Sequence, residues 1–440
     1  MRRTLVYGMH WKSQSEAIRD LEKRGLISVE FWIGKNREND IHIGKLRRVN
    51  FEKDRFSGLN RDIYDEIYKE SFCTFLDMLP RNPSLYNITH QEAINIYNYL
   101  FDYFSNLLHK KKIELIIFHM LPHFGSDYLL VQIAKKMGIE TLLFYQSLIP
   151  NRFFYIRDLD DFGDFKTSSV QFAYPKQKIE LNTRRVQFYM KSIKLKYRSC
   201  NFLLFQRFRR YIFRSLGKMT LLGLIKSYID CLKFKYHYNR MAKSVVDFNR
   251  EYIYFPLQLQ PELTTSTLGG IYSDQILAIE RLRTLIPDNW YIYVKENPKQ
   301  LEGHRGDYFF KRLSLIPNLK YIAKDVNSFD LIENSQFVAT ITGTVGWEAL
   351  QHKKACVVFG KAWYQNFHGV FKYSFDLKLK DILNMEIDIK RVEEDYNKLI
   401  LKSANGIVDR GYIVNYKEYS DDRNREFLID SLERIILSLD

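Results

Sequence analysis

Long apolar runs are missing from this 440-residue sequence: no stretch of about 18 uncharged apolar residues occurs, so a membrane-spanning helix is not expected. The N-terminus, MRRTLVYGMHWKSQSE, turns polar after a few apolar residues and lacks the apolar centre of a signal peptide. Cysteine is scarce. Cys73, Cys200, Cys231 and Cys356 are scattered, with no CxxC pair and no histidine cluster at zinc spacing, which excludes a zinc-ribbon fold and points to a reducing compartment. Together these absences place the protein in the cytoplasm, with the inner face of the membrane as a peripheral station. Internal repeats and low-complexity tracts are also absent.

Acids are short over one segment only. Between Arg184 and Lys243 sixteen Lys or Arg face a single acid, Asp230, which leaves +15, the whole net charge of the protein. The basic character is therefore local. Residues 184–243 interleave cations with Phe, Tyr, Leu and Ile, as in Phe202–Ile229, and read as a basic aromatic helical insert over residues 166–247. An anionic membrane surface is the partner this composition suits. A solvated helical face is the plainer alternative, and nucleic acid is disfavoured because no nucleic-acid module is visible.

Around that insert, apolar strand-length runs alternate with helical spacing. Thr4–Tyr7, Ser28–Ile33, Glu114–Phe118 and Glu140–Tyr145 are predicted strands, and Ser13–Arg24, Arg61–Leu79, His90–His109 and Ser126–Met137 predicted helices. The pattern resumes with strands at Tyr252–Phe255, Trp290–Lys295, Gln336–Thr342 and Ala355–Phe359, helix Tyr272–Leu285, and an amphipathic C-terminal helix at Arg423–Leu439. Two Rossmann-like α/β domains, residues 1–165 and 248–440, are expected to face each other across a cleft. In such sheets ligands bind beyond the carboxyl ends of the strands.

The residues of interest are therefore those just after strands. Thr342-Gly343-Thr344-Val345-Gly346 runs from a strand into a helix. Its small residues and unpaired N–H groups suit a phosphate, the threonines add hydroxyls, and Glu348 either takes a ribose or sugar hydroxyl or merely favours the helix dipole. Gly360-Lys361-Ala-Trp-Tyr364 combines a glycine, a cation and two aromatics at a strand end, with His368 close behind. Lys295 and Asn297 follow another strand, and Gln258, Gln260 and Glu262 another. In the first half, His123 lies between strand Glu114–Phe118 and its helix, and Asp127 at the start of that helix. A histidine near a carboxylate suits proton transfer, although Asp127 equally suits a helix N-terminus. Gln146, Ser147 and His10 follow neighbouring strands. No metal or other cofactor is called for, because no carboxylate pair at DxD spacing sits at a strand end.

Tyr254–Glu262, Leu268–Gln275, Val294–Pro298, Ile341–Glu348 and Val358–Tyr364, in this order, resemble the capsule polysaccharide biosynthesis family, which includes the bacterial Kdo transferases of capsule assembly. The likeness is specific over about Tyr252–Val370, looser around Leu121–Ser147, and absent over the basic segment. It implies a GT-B glycosyltransferase, with a nucleotide-sugar donor (CMP-Kdo or another CMP- or NDP-sugar) held in the second half. The acceptor, a surface or capsular polysaccharide or a glycolipid, is then held in the first. It places Lys295, Thr342, Gly343, Thr344 and Glu348 at the donor; Gln260, Glu262, Asn297, Gly346 and Lys361 belong to the same candidate set, and Asp127 and His123 are the catalytic candidates. One position departs from the family pattern: Asn297 stands where histidine usually precedes the proline, and an amide donates a hydrogen bond but carries no charge. A polyol-phosphate transferase, a nucleotide-sugar epimerase, or a non-catalytic polysaccharide assembly or export factor are the alternatives on the same fold.

Overall fold

The computed structural model describes residues 1–51, 61–82, 85, 88–184, 221–300 and 305–439. These form two compact units: Met1–Lys176 together with Asn397–Asp440, and Gln177–Tyr396.

The first unit is built on β1 (Arg2–Tyr7), β2 (Ile27–Gly34), β3 (Ile41–His42), β4 (Leu115–Phe118), β5 (Glu140–Gln146), β6 (Arg152–Ile156) and β13 (Ala404–Asn405), in the order β13-β6-β5-β4-β1-β2-β3. β1 to β5 are mutually parallel, and β6 runs antiparallel to both β5 and β13. The chain passes from β1 to β2 on one side and later returns to β4 on the other. β1 and β4 therefore flank a topological switch point, where ligands of such sheets bind.

The second sheet comprises β7 (Tyr252–Pro256), β8 (Tyr291–Lys295), β9 (Leu319–Ile322), β10 (Val338–Thr340), β11 (Cys356–Val358) and β12 (Val370–Lys372), all parallel. Its order, β9-β8-β7-β10-β11-β12, is the 3-2-1-4-5-6 order of dinucleotide-binding sheets, with the switch between β7 and β10. Alternation along the strands splits the core between two faces. Ile253, Phe255, Ile292 and Val294 join one apolar cluster, while Tyr252, Tyr254 and Tyr293 join the other.

The α/β reading and the two Rossmann-like sheets thus hold, and the described structure adds two corrections. The chain from Asn397 onward, read from sequence with the second half, packs in the first unit. The helix Asp421–Leu437 buries Leu428, Leu432 and Ile435 in one cluster with Ala17, Ile18 and Leu21 of the helix Lys12–Lys23, an apolar partner that spacing along the chain does not reveal. Residues 166–184 are irregular rather than helical. Ser168 and Phe172 are buried in the first unit, and Gln351 Nε2 and His352 Nε2 meet the carbonyls of Glu180 and Thr183 at 3.1 and 3.0 Å in the second.

Of the basic segment, residues 185–220, including Cys200, lie outside the described residues, as do residues 52–60 of the polar stretch after Gly34. The described remainder is one helix, Leu221–Met241, with Phe234 and Tyr238 buried and Ile229, Leu232 and Tyr236 exposed. No helix among the described residues is long and apolar enough to cross a membrane. Among the described residues Cys73 and Cys356 are free thiols.

Candidate functional site

The segments after β7, β8, β10 and β11 emerge along one edge of the second sheet, as parallel pairing requires. At its switch point Gln258 is the organiser. Its backbone carbonyl accepts from Gln275 Nε2 and Arg305 Nη2, both at 3.0 Å, and its side chain reaches across to β10. With its amide oxygen turned to the turn after β10, Gln258 accepts from the backbone N–H groups of Thr342 (2.8 Å) and Gly343, and its nitrogen donates to Thr342 Oγ1 (3.2 Å). Thr342 Oγ1 itself donates to the Thr264 carbonyl at 2.7 Å. Two N–H groups and one hydroxyl expected to serve a phosphate are therefore spent inside the protein. Gly343 and Thr344 keep partly exposed surfaces.

The helix after this turn, Val345–Gln351, is only two turns long. Gly346 is buried and faces inward: a side chain there would strike the Tyr364 hydroxyl and Cys356 Sγ, so this glycine seats the helix on β11 rather than serving a ligand. Tyr364 OH donates to the Gly343 carbonyl and fastens the turn from below. Glu348 stands apart. It is partly buried, takes no hydrogen bond or ion pair among the described residues, and burial alone pushes its carboxyl up to about 7.

Other candidates are more committed than the sequence suggested. Lys295 is 8% exposed; Nζ donates to the Val326 carbonyl and to Ser328 Oγ (2.8 Å), and burial lowers its pKa to about 8. Gln260 is held by the Ser273 carbonyl and by Arg305. Asn297 Oδ1 accepts from the Lys299 backbone at 2.9 Å, which makes it a turn residue, and Glu262 Oε2 accepts from Thr264 Oγ1 at 3.4 Å. Lys361 is partly exposed after β11, and its backbone N–H donates to the Leu268 carbonyl at 2.9 Å. His368 is tied by Nε2 to the Glu386 carbonyl at 2.9 Å and by its backbone N–H to Asp395 Oδ2, also at 2.9 Å.

Sequence reading missed the buried pair beneath this edge. Arg305 Nε meets Glu296 Oε2 at 3.1 Å, both side chains almost fully enclosed, and Tyr321 OH donates to the same oxygen at 3.0 Å. Only the charged composition of the loop after β8 hinted at it.

In the first unit, the ends of β1 and β4 carry a second polar cluster. Gly8 has φ +85°, and a side chain there would run into the His119 ring, so only glycine lets the two strand ends close. Asp127 is 2% exposed and fully engaged. Arg47 grips both its oxygens, at 3.3 Å from Nε and 2.8 Å from Nη2; Tyr7 OH donates to Oδ1, and Ser126 Oγ lies 3.1 Å from it. Asp127, a catalytic candidate from sequence that equally suited a helix N-terminus, anchors Arg47, a partner 80 residues away that no local pattern indicated.

His123 keeps its candidacy. Its Nδ1 lies 2.7 Å from the Leu121 carbonyl, an acceptor that fixes the proton on Nδ1 and leaves Nε2 as the basic nitrogen. Burial, with Arg81 beyond, lowers its pKa to about 4. His119 is buried and neutral for the same reason, 3.3 Å from the Tyr7 carbonyl through Nδ1. His10 is 8% exposed with neither ring nitrogen bonded, and burial, then Lys35, hold it at about 4. Gln146 and Ser147 turn inward instead: Gln146 Oε1 accepts from Val408 N at 2.7 Å, and Ser147 Oγ donates to the Arg152 carbonyl at 2.7 Å. Among the described residues no group of three or more His, Cys, Asp or Glu is placed to hold a metal ion.

Two Rossmann-like sheets, each with polar residues massed at its switch point, define a two-unit α/β protein. Residues 169–380 match the family model described as "Capsule polysaccharide biosynthesis protein". Among solved structures the chain is similar to one titled "Thermosulfurimonas dismutans KpsC, beta Kdo 2,7 transferase", at 12% identity and TM-score 0.33, covering 78% of this chain and 90% of that one. A second structure of that KpsC, titled beta Kdo 2,4 transferase, matches at 13% and 0.33 over 72% and 87%. The UDP-GlcNAc 2-epimerase from Methanocaldococcus jannaschii matches at 13% and 0.25 over 100% and 99%. Comparison with curated proteins gives no match.

Proposed function

We propose that this chain transfers a sugar from a nucleotide-activated donor to a glycan or glycolipid acceptor in the assembly of a capsular or surface polysaccharide. One observation carries the reading. The five segments that bear the family resemblance, far apart in sequence, meet at the switch-point edge of a single 3-2-1-4-5-6 sheet.

In this reading the partly exposed Gly343–Thr344 turn and Glu348 receive the nucleotide, and Lys295 and Lys361 supply positive potential to the charge that develops on the leaving phosphate. Glu348, half protonated near neutrality, serves as a hydrogen-bond donor to a ribose or phosphate oxygen. In the first unit His123 Nε2 takes the proton of the acceptor hydroxyl, and Asp127 holds Arg47 in place beside it.

The test is release of free nucleotide from CMP-, UDP- and GDP-sugars by the full chain, with and without a glycan acceptor. The reading predicts release from one donor only when acceptor is present. Appearance of an epimeric nucleotide-sugar without acceptor, or no turnover of any donor with any acceptor, contradicts it.

A further inference from the structure

The segment Gln258–Gln260 lies past the end of β7, and its backbone is held by side chains rather than by a neighbouring strand. The Gln258 N–H donates to Gln275 Oε1 at 2.7 Å, and the Gln258 carbonyl accepts from Gln275 Nε2 at 3.0 Å. Two residues on, the Gln260 N–H donates to Gln300 Oε1 at 2.9 Å, and the Gln260 carbonyl accepts from Gln300 Nε2 at 3.0 Å. Each glutamine side chain supplies the donor and the acceptor that a paired strand would offer.

Arg305 joins these two grips. It is 3% exposed; its Nη2 donates to the Gln258 carbonyl at 3.0 Å, and its Nη1 donates to Gln260 Oε1. Glu296 aims the guanidinium by accepting from Nε at 3.1 Å, and Tyr321 OH of β9 fixes the same carboxylate oxygen at 3.0 Å. A planar fork with donors in fixed directions serves a carboxylate and two further acceptors at once, which a single ammonium cannot. A buried ion pair adds little stability over an apolar pair of the same size, so stability alone does not account for the arrangement. From Gln258 the hold passes on. Its side-chain oxygen accepts from the N–H groups of Thr342 and Gly343, so guanidinium, Gln258 and the turn after β10 form one hydrogen-bonded chain.

We infer that Arg305 is a positioning residue for the turn after β10. It fixes Gln258 and, through Gln258, the backbone of Thr342 and Gly343. That the turn then receives a nucleotide rests on the transferase reading; the positioning does not.

Arg305→Lys keeps the charge opposite Glu296 but cannot serve Glu296, Gln258 and Gln260 together. Hydrogen–deuterium exchange of the ligand-free full chain is the first readout. Exchange in residues 258–260 and 342–343 is expected to rise at least tenfold, with β7, β8 and the first unit unchanged. With Gln258→Ala already in place, the lysine variant should change exchange at 342–343 less than twofold, because its effect passes through Gln258. An arginine that merely supports the fold would loosen the whole second unit, by the same factor with and without Gln258. Should Arg305→Lys fail to fold, the double variant Arg305→Met/Glu296→Leu, an apolar pair of similar size, replaces it with the same expectations. Unchanged exchange in the two loops, loosening throughout the second unit, equal effects in the two backgrounds, or failure of both variants to fold overturns the inference. The second readout is calorimetric affinity for CMP, UDP and GDP, expected to fall at least tenfold in Arg305→Lys for a nucleotide that the parent binds. A loosened turn with unchanged affinity, or a parent that binds no nucleotide, would leave the positioning standing while the donor reading fell.

Discussion

Glu348 is the residue on which the donor reading makes its most specific demand. Among the described residues its carboxyl takes no hydrogen bond or ion pair, and burial raises it to about 7, so it is largely neutral at pH 6 and largely ionised at pH 8. A neutral acid donates a hydrogen bond to a phosphate or ribose oxygen; an ionised one repels phosphate. Nucleotide affinity is therefore expected to fall as pH rises through about 7. Glu348→Gln, which stays neutral and still donates, should bind with an affinity that hardly changes from pH 6 to 8. Calorimetric titration of the nucleotide at those two pH values decides it; a parallel fall in parent and variant would remove Glu348 from the site. The two catalytic candidates of the first unit illustrate what single residues do and do not reveal. His123 was proposed from sequence because it follows an apolar strand, and the structure sets its Nδ1 2.7 Å from the Leu121 carbonyl. The capture of Asp127 by Arg47 was not legible, because ion pairs across 80 residues leave no trace in local spacing.

At the scale of elements, most of the framework could be read from periodicity. The strands at Leu115–Phe118, Glu140–Gln146, Tyr252–Pro256 and Tyr291–Lys295 fall within a residue or two of expectation, since short apolar runs bounded by turn residues have few alternatives. β6 escaped because Arg152 opens it. That arginine is wholly buried, and Nη1 donates to the Ser403 carbonyl at 2.8 Å, a tertiary arrangement that no strand propensity anticipates. β9 and β12 escaped because they are only four and three residues long and each carries a lysine, Lys320 within β9 and Lys372 at the end of β12. The turn after β10 was recognised as a small-residue motif, yet its glycines divide the work. Gly343 stays at the partly exposed edge, whereas Gly346 lies against Tyr364 and Cys356. Gly346→Ala should therefore act through packing, lowering stability by about 1–3 kcal/mol as overfilled cores do. Tyr364→Phe in the same chain removes the hydroxyl that the new methyl meets and should recover part of the loss. Urea unfolding of the two single variants and the double one measures this, and strictly additive losses would contradict the packing role.

The whole molecule shows how far a linear reading carries. Two Rossmann-like sheets were expected and are present, because each half repeats strand and helix at lengths that only a parallel sheet with crossovers accommodates. The return of Asn397–Asp440 to the first unit was not legible. An amphipathic helix announces that it needs a partner but not which one, and Leu428, Leu432 and Ile435 find theirs on the helix Lys12–Lys23, some four hundred residues earlier. The central claim concerns the other unit, where the family segments converge on one sheet edge. Hydrogen–deuterium exchange of the full chain, with and without saturating CMP-, UDP- or GDP-sugar, tests it most directly. Slowed exchange for at least one donor, concentrated in residues 256–262, 341–348 and 359–364, is the predicted result. No protection of these loops by any donor, or protection confined to other segments, would contradict the account.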